Sequence, residues 1–334
     1  MEYSRLKDID VKSHLGSTIH VVFIAQAISV RPQSNGGEFM CLNMVDREKS
    51  VEAKIFGVTQ PVKEKVIEGK VYAATVDVKP YKKNGVDTIS CIITGMEESD
   101  IDPSTFADWV ENLNYYIEEL CKVLECANGT IYGEIAKTIL TKYWEKFVRW
   151  PAAKSQHHTQ LGGLVWHTTT VVEAAKALGV IYQRIYGQNF INMPLLIAGA
   201  AIHDVMKTRE FCVDATNGIV NYSVDAALST HIMDVISEID IEAAKRGIEY
   251  SEEIQLLKHL VASHHGKKEW GSPIECNIPE AFILHHADVV DATLWQYNKD
   301  MSGVEPGKYE SVWRSGELVV RYKEKSKATV NNGV

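Results

Sequence analysis

No two of the six cysteines form a C-x-x-C pair, and the charged first ten residues contain no apolar stretch of the secretory type. Both absences argue against a disulfide framework and for reduced thiols in a cytoplasm. Long apolar runs are missing too. The longest, 195–202, falls far short of the roughly 20 residues of a membrane helix, and it ends in His203-Asp204. No membrane association is expected. Gly162-Gly163 is not followed by Lys-Ser or Lys-Thr, so it is no phosphate-cradling P-loop. Positive charge is in deficit: 35 Lys and Arg stand against 44 Asp and Glu, a formal net charge of −9. That excludes a surface that grips nucleic acid everywhere, yet leaves room for a local basic groove.

The 334 residues, 45% hydrophobic and 24% charged, suffice for about two soluble domains. Histidine is the informative residue. Of twelve, only His14 and His20 lie early; the other ten fall between His157 and His286. Imidazole chemistry, metal binding above all, is thereby expected in one region.

The first hundred residues read as strands, at 18–28, 39–45, 51–56, 71–79 and 87–93. Ser34-Asn35-Gly36-Gly37 and Lys82-Lys83-Asn84-Gly85 mark turns between them, the second a strong hairpin signal. Five strands in about 80 residues suggest a small closed barrel of the OB type. A polar stretch at 97–105, with Asp102-Pro103, reads as a linker. Beyond it the spacing turns helical, beginning with Phe106, Val110, Leu113, Ile117, Leu120 and Leu124. Further helices are expected at 130–148, 164–186, 193–207, 226–246, 252–264 and 278–298. The fold class is therefore α+β multidomain: an N-terminal five-stranded OB-fold β-barrel over 1–98 and a C-terminal all-α domain over 99–315. A mildly basic tail is expected over 316–334.

His167, His203-Asp204, His231, His264-His265 and Asp288 each sit on, or at the end of, a different expected helix. Helical assemblies commonly build metal sites from side chains that project inward from facing helices. Imidazole with carboxylate suits first-row divalent ions, and an Asp beside a His can bridge two of them. Neighbours on a helix point about 100° apart, so His264 and His265 need not reach one ion. His14, His20, His157, His259 and His286 receive no ligand role. In the barrel, Lys79, Tyr81, Lys82 and Lys83 cluster at the second hairpin, with Phe39, Phe56 and Tyr72 on strands. Aromatics in a basic groove would stack single-stranded bases; the same residues would also suit a solvated hairpin and a core. Trp270 is either a stacking surface over the site or part of a packed loop.

The order H…HD…H…HH…D resembles the HD-domain superfamily of metal-dependent phosphohydrolases. The resemblance goes further. Pro151-Ala152-Ala153, His157-His158, Gly162-Gly163-Leu164 and His167, the segment 260–273 around His264-His265, Ile283-Leu284-His285 before Asp288 and Asp291, and Glu305-Pro306-Gly307-Lys308-Tyr309 are similar to the YhaM-type 3′→5′ exoribonucleases of Gram-positive bacteria. Val51-Glu52-Ala53-Lys54-Ile55-Phe56 resembles the third strand of that family's OB-fold. The similarity covers roughly 15–315.

The resemblance implies a metal-dependent exonuclease acting from the 3′ end of single-stranded RNA, and of DNA as a second substrate. It implies a first metal on His167, His203, Asp204 and Asp288, and a second shared by Asp204 with His231 and His264, His265 standing beside them. Mn²⁺ would be the favoured ion, with Co²⁺, Fe²⁺, Zn²⁺ or Mg²⁺ as alternatives. Lys207, three residues after Asp204, and His158 would contact the phosphate or the leaving group. Phe56, Lys79, Tyr81, Lys82 and Lys83 would hold the strand. One departure stands out: the family commonly has Gly before the lysine, where this chain has Met206. A bulkier residue that narrows the site would favour a phosphohydrolase of nucleotides or cyclic dinucleotides. A non-enzymatic nucleic-acid-binding factor is a third reading. Oligomeric state is open, a homo-oligomer included.

Overall fold

A computed structural model describes residues 3–33, 36–47, 49–83, 86–154, 157–214, 220–311 and 318–322. The chain divides into two compact units: residues 1–109 with 212–221, and residues 110–211 with 222–334.

The first unit is built from β1 (Ser4–Arg5), β2 (Thr18–Pro32), β3 (Glu38–Asp46), β4 (Lys49–Phe56), a short helix α1 (Gln60–Lys65), β5 (Val71–Lys83) and β6 (Val86–Glu98). The sheet runs β1-β2-β3-β4-β6-β5, and β5 returns to pair with β2, closing a five-stranded barrel of OB type. Closure depends on β2, which serves two neighbours. Its first half pairs with β5 and its second with β3, with a register shift between Gln26 and Ser29 where Ala27 takes φ 50°. Inward positions alternate along the strands, as in Val21, Phe23 and Ala25 or Met40, Leu42 and Met44, and these fill the core. The five strands hold 8 to 15 residues, longer than the spacing predicts. The Ser34-Asn35 and Asn84-Gly85 turn positions lie outside the described residues.

Phe106 corrects the expected first helix. It does not open one: it is 2% exposed and packs with Val22, Ile24, Val71 and Ala73 on the outside of the barrel wall, under the Arg5 guanidinium at 3.6 Å. The helix begins only at Leu113, after Asn112 in the left-handed conformation at φ 58°. β6 also extends two residues into the expected linker.

The second unit holds α2 (Leu113–Leu124), α3 (Ile131–Phe147), α4 (Gly163–Tyr186), α5 (Met193–Ile202), α6 (Lys207–Glu210), α7 (His231–Ala244), α8 (Glu252–Ser263) and α9 (Pro279–Ser302). Side-chain caps start several of them: Thr130, Asn192, Thr230 and Ser251 accept from Gly133, Leu195, Met233 and Ile254. In α5 every residue from Leu195 to Ile202 is buried. The apolar run is thus the central helix of the unit, and among the described residues no helix is long and apolar enough to cross a membrane. Two short ribbons go beyond the helical expectation: β7 (Phe211–Val213) with β8 (Val220–Tyr222), and β9 (Tyr309–Ser311) with β10 (Leu318–Val320). β10 falls within the expected basic tail, of which only 318–322 are described.

Candidate metal centre

The expected helix 193–207 is broken. α5 ends at Ile202, residues 203–206 turn, and α6 starts at Lys207. The break matters chemically. In a continuous helix His203 and Asp204 would diverge by about 100°. Here Asp204 Oδ2 lies 3.3 Å from His203 Nε2 and 2.6 Å from Lys207 Nζ. Met206, the departure from the family pattern, is fully buried in the apolar core, with φ −80° open to any residue.

Around Asp204 stand four histidines from four helices or their ends: His167 on α4, His203 after α5, His231 at the start of α7 and His264 after α8. Their Nδ1 atoms are all engaged. Those of His203 and His264 donate to the carbonyls of Ala200 and Val261, each at 2.7 Å. Those of His167 and His231 face carboxylates, Asp291 at 2.6 Å and Glu210 at 2.5 Å. Tying Nδ1 leaves the Nε2 lone pair free, the arrangement by which metal-binding histidines are oriented.

All four Nε2 atoms, together with Asp204 Oδ1, are buried and have no hydrogen-bond partner among the described residues. Buried polar atoms are rarely left so. Unpaired lone pairs that converge from imidazoles and a carboxylate fit a divalent cation. The two oxygens of Asp204 divide the histidines between them. Oδ2 lies 3.3 Å from Nε2 of both His167 and His203; Oδ1 lies 3.2 Å from His231 and 3.7 Å from His264. Asp288 approaches His167 at 3.3 Å. A ligand atom each from His203, His264 and Asp288, and likewise from His231, His264 and His265, lie within 4.8 Å of one another. His265 Nδ1–H donates to the Trp270 carbonyl, 3.1 Å away.

Electrostatics follow the geometry. Burial opposes charge on Asp204, but Lys207, His203 and His167 overcome it and hold the carboxyl well below the usual range. Burial, with His203 and His265 nearby, pushes His264 well down and keeps it neutral, the form that binds metal. Burial also opposes ionisation of Asp291, yet hydrogen bonds from His158 and His167 bring it to about 2.

The sequence reading holds Asp291 only within the segment that carries the resemblance and gives it no role; Glu210 escapes it. Asp291 lies one turn after Asp288 on α9, a spacing that offers a signal; Glu210 follows Lys207 by three residues, with nothing to mark it. His158 is 1% exposed and lies 2.8 Å from Asp291. On the barrel, Tyr81 is 46% exposed, with Lys54 Nζ 5.0 Å above its ring. Both line a cavity of about 770 Å³ together with Lys12, Arg31, Phe39 and Lys49. Phe56 stacks on Phe39 at 5.6 Å and lines a neighbouring cavity. Lys79 is paired with Asp77 at 3.6 Å; Lys82 and Lys83 end the same strand. Tyr72 is a core residue, 2% exposed, its hydroxyl donating to the Lys65 carbonyl.

Residues 165–293 match the family model of the HD domain. The helical unit carries an HD domain. Outside it the similarity continues. The 3′-5′ exoribonuclease YhaM of Geobacillus sp. strain WCH70 is 29% identical over 300 residues, which cover 90% of each chain. That of Listeria welshimeri serovar 6b is 28% identical over 307 residues, 91% of this chain and 93% of its own. That of Bacillus velezensis is 28% identical over 298 residues, 88% and 91%. The resemblance read from the sequence therefore spans about nine-tenths of the chain, the barrel and the HD domain alike.

Proposed function

We propose that this protein is a divalent-metal-dependent 3′→5′ exonuclease that hydrolyses phosphodiester bonds of single-stranded RNA with two metal ions. The observation that carries the reading is Asp204, whose two buried oxygens face two different pairs of unpaired imidazole nitrogens. The first ion would be held by His167, His203, Asp204 and Asp288, and the second by Asp204, His231 and His264, with His265 at its side. When bound, such ions neutralise the scissile phosphate and make water nucleophilic near neutral pH. The ions can be Mn²⁺, or Co²⁺, Fe²⁺, Zn²⁺ or Mg²⁺, since His and Asp accept all of them.

The chain's own groups do the rest. The carbonyls of Ala200 and Val261 and the carboxylates of Asp291 and Glu210 hold the imidazole planes, so the donor set is arranged before substrate arrives. Lys207, 12% exposed, keeps a positive charge beside Asp204 and would meet a phosphate oxygen there. On the barrel, Tyr81 and Phe56 would stack bases, and Lys54 and Arg31, with Lys79, Lys82 and Lys83 on β5, would follow the backbone. With most of the chain's excess negative charge in residues 101–334 (−8, against −1 in 1–100), strand binding would be local and salt-sensitive.

Single-stranded oligoribonucleotides labelled at either end, incubated with Mn²⁺, test this. A 3′ label should leave at once as a mononucleotide, and a 5′ label should remain on a shrinking ladder. Asp204→Ala should leave both intact. A wild type that spares both oligonucleotides but hydrolyses nucleotides would replace this reading with the small-molecule one. A parallel oligodeoxynucleotide series measures activity on DNA.

A further inference from the structure

Two consecutive histidines precede α4, and they are held very differently. His158 Nε2 lies 2.8 Å from Asp291 Oδ2, the same oxygen that takes His167 Nδ1 at 2.6 Å, and its ring packs edge-on against Trp166 at 4.4 Å. Its backbone is in the left-handed region, φ 47°, uncommon for a residue with a side chain. The surroundings impose this. The Ala152 N–H donates to the His158 carbonyl at 3.0 Å, and α4 begins so close that a Cβ on Gly163 would stand 2.1 Å from that carbonyl oxygen. Strained backbone persists where neighbours over-determine it, and it clusters at functional sites.

The strained turn brings both rings to the metal centre. The rings of His157 and His158 are 5.7 Å apart at 87°, and that of His157 is 5.1 Å from His167. One ring nitrogen from each of the three lies within 4.8 Å of the others. In both His157 and His158, Nδ1 is buried and has no hydrogen-bond partner among the described residues. The two orphans are not equivalent. With Nε2–H given to Asp291, neutral His158 presents only a lone pair at Nδ1 and cannot donate to an anion. Among the described residues no carboxylate hydrogen-bonds His157, so its tautomer is not fixed in that way and it can present Nδ1–H.

We propose that His157 is the phosphate-contacting member of the pair, its ring N–H donating to a nonbridging oxygen of the substrate phosphate, and that His158 is the positioning residue, locked through Asp291. The inference rests on the phosphodiesterase reading for the site's use, but the contact itself requires only a phosphate.

Inorganic phosphate is therefore the probe, titrated calorimetrically into the Mn²⁺-loaded full chain. His157→Phe keeps an aromatic ring and removes the donor; phosphate affinity should fall about tenfold to a hundredfold. His157→Asn, whose amide N–H falls near Nδ1, should restore most of it. Bound metal per chain and melting temperature should stay at wild-type values in both. If the phenylalanine ring disturbs the fold, His157→Ala carries the same expectation. Equal phosphate affinity in wild type and the donor-less variant, no phosphate binding by wild type, or loss of a bound ion on removing His157 would overturn the proposal. A wild type that binds phosphate through His157 yet leaves oligoribonucleotides intact would count against the exonuclease reading and for this contact.

Discussion

In the helical unit, the polar groups of the candidate site are buried and tied in place. On the barrel, the aromatic and basic groups that a strand would meet stand at the surface. His167, His203 and His264 are fully buried, and each has its Nδ1 fixed by a carbonyl or a carboxylate. Tyr81 and Phe56 are each about half exposed, and Arg31 is exposed as well. The difference teaches where each kind of recognition is affordable. A cation needs ligands arranged in advance and shielded from water, so every member counts. A nucleic-acid strand is met by many weak, screened contacts, so no single one decides.

That contrast yields predictions of decreasing size. Asp204→Ala should abolish activity and metal binding together, because both histidine pairs lose the oxygen they share; metal analysis beside the nuclease assay reads this. Retained metal at full stoichiometry would break the picture of a centre built on Asp204. Gly163→Ala should lower the denaturation midpoint, by about 1–3 kcal/mol of stability as for an overpacked core. The added Cβ meets the His158 carbonyl at 2.1 Å, and activity should fall with it. Asp291→Asn should weaken metal affinity about 10- to 100-fold, the usual cost of losing a second partner behind a ligand. Titration with Mn²⁺ would show it, and an unchanged affinity would mean that His167 needs no brace.

On the barrel the effects should be smaller and graded. Tyr81→Ala should weaken binding of single-stranded RNA by about 1–3 kcal/mol for one stacked base, with kcat on short substrates unchanged. Arg31→Ala should reduce the salt slope of that binding by about one, measured as affinity against ionic strength. If either barrel variant abolished activity as Asp204→Ala is expected to, the division between a fixed centre and a forgiving groove would fail.

Much of the architecture was legible in residue order. Runs of strand-forming residues between turn signals marked the five barrel strands, because β-branched and aromatic side chains suit a pleated surface. Three- and four-residue spacing marked the helices for the matching reason. Local signals failed where tertiary contacts outweighed them. Phe106 continues a helical spacing yet covers the barrel wall. The apolar series ending at His203 reads as one helix through residue 207, but the chain turns there, and Met206 is buried in the apolar core. Asp291 and Glu210 hold imidazoles from elements 124 and 21 residues away in sequence, a relation no spacing rule contains.

Residue types and their order alone determined that this chain has a β-barrel followed by helices, and that histidine and aspartate recur at the ends or inner faces of those helices. These are properties of periodicity and chemistry, carried locally. Only the tertiary structure decided which nitrogen of each imidazole is free, which oxygen of Asp204 each pair faces, and how His157 and His158 differ. Such distinctions depend on hydrogen bonds between distant segments, and a sequence does not record where its segments meet.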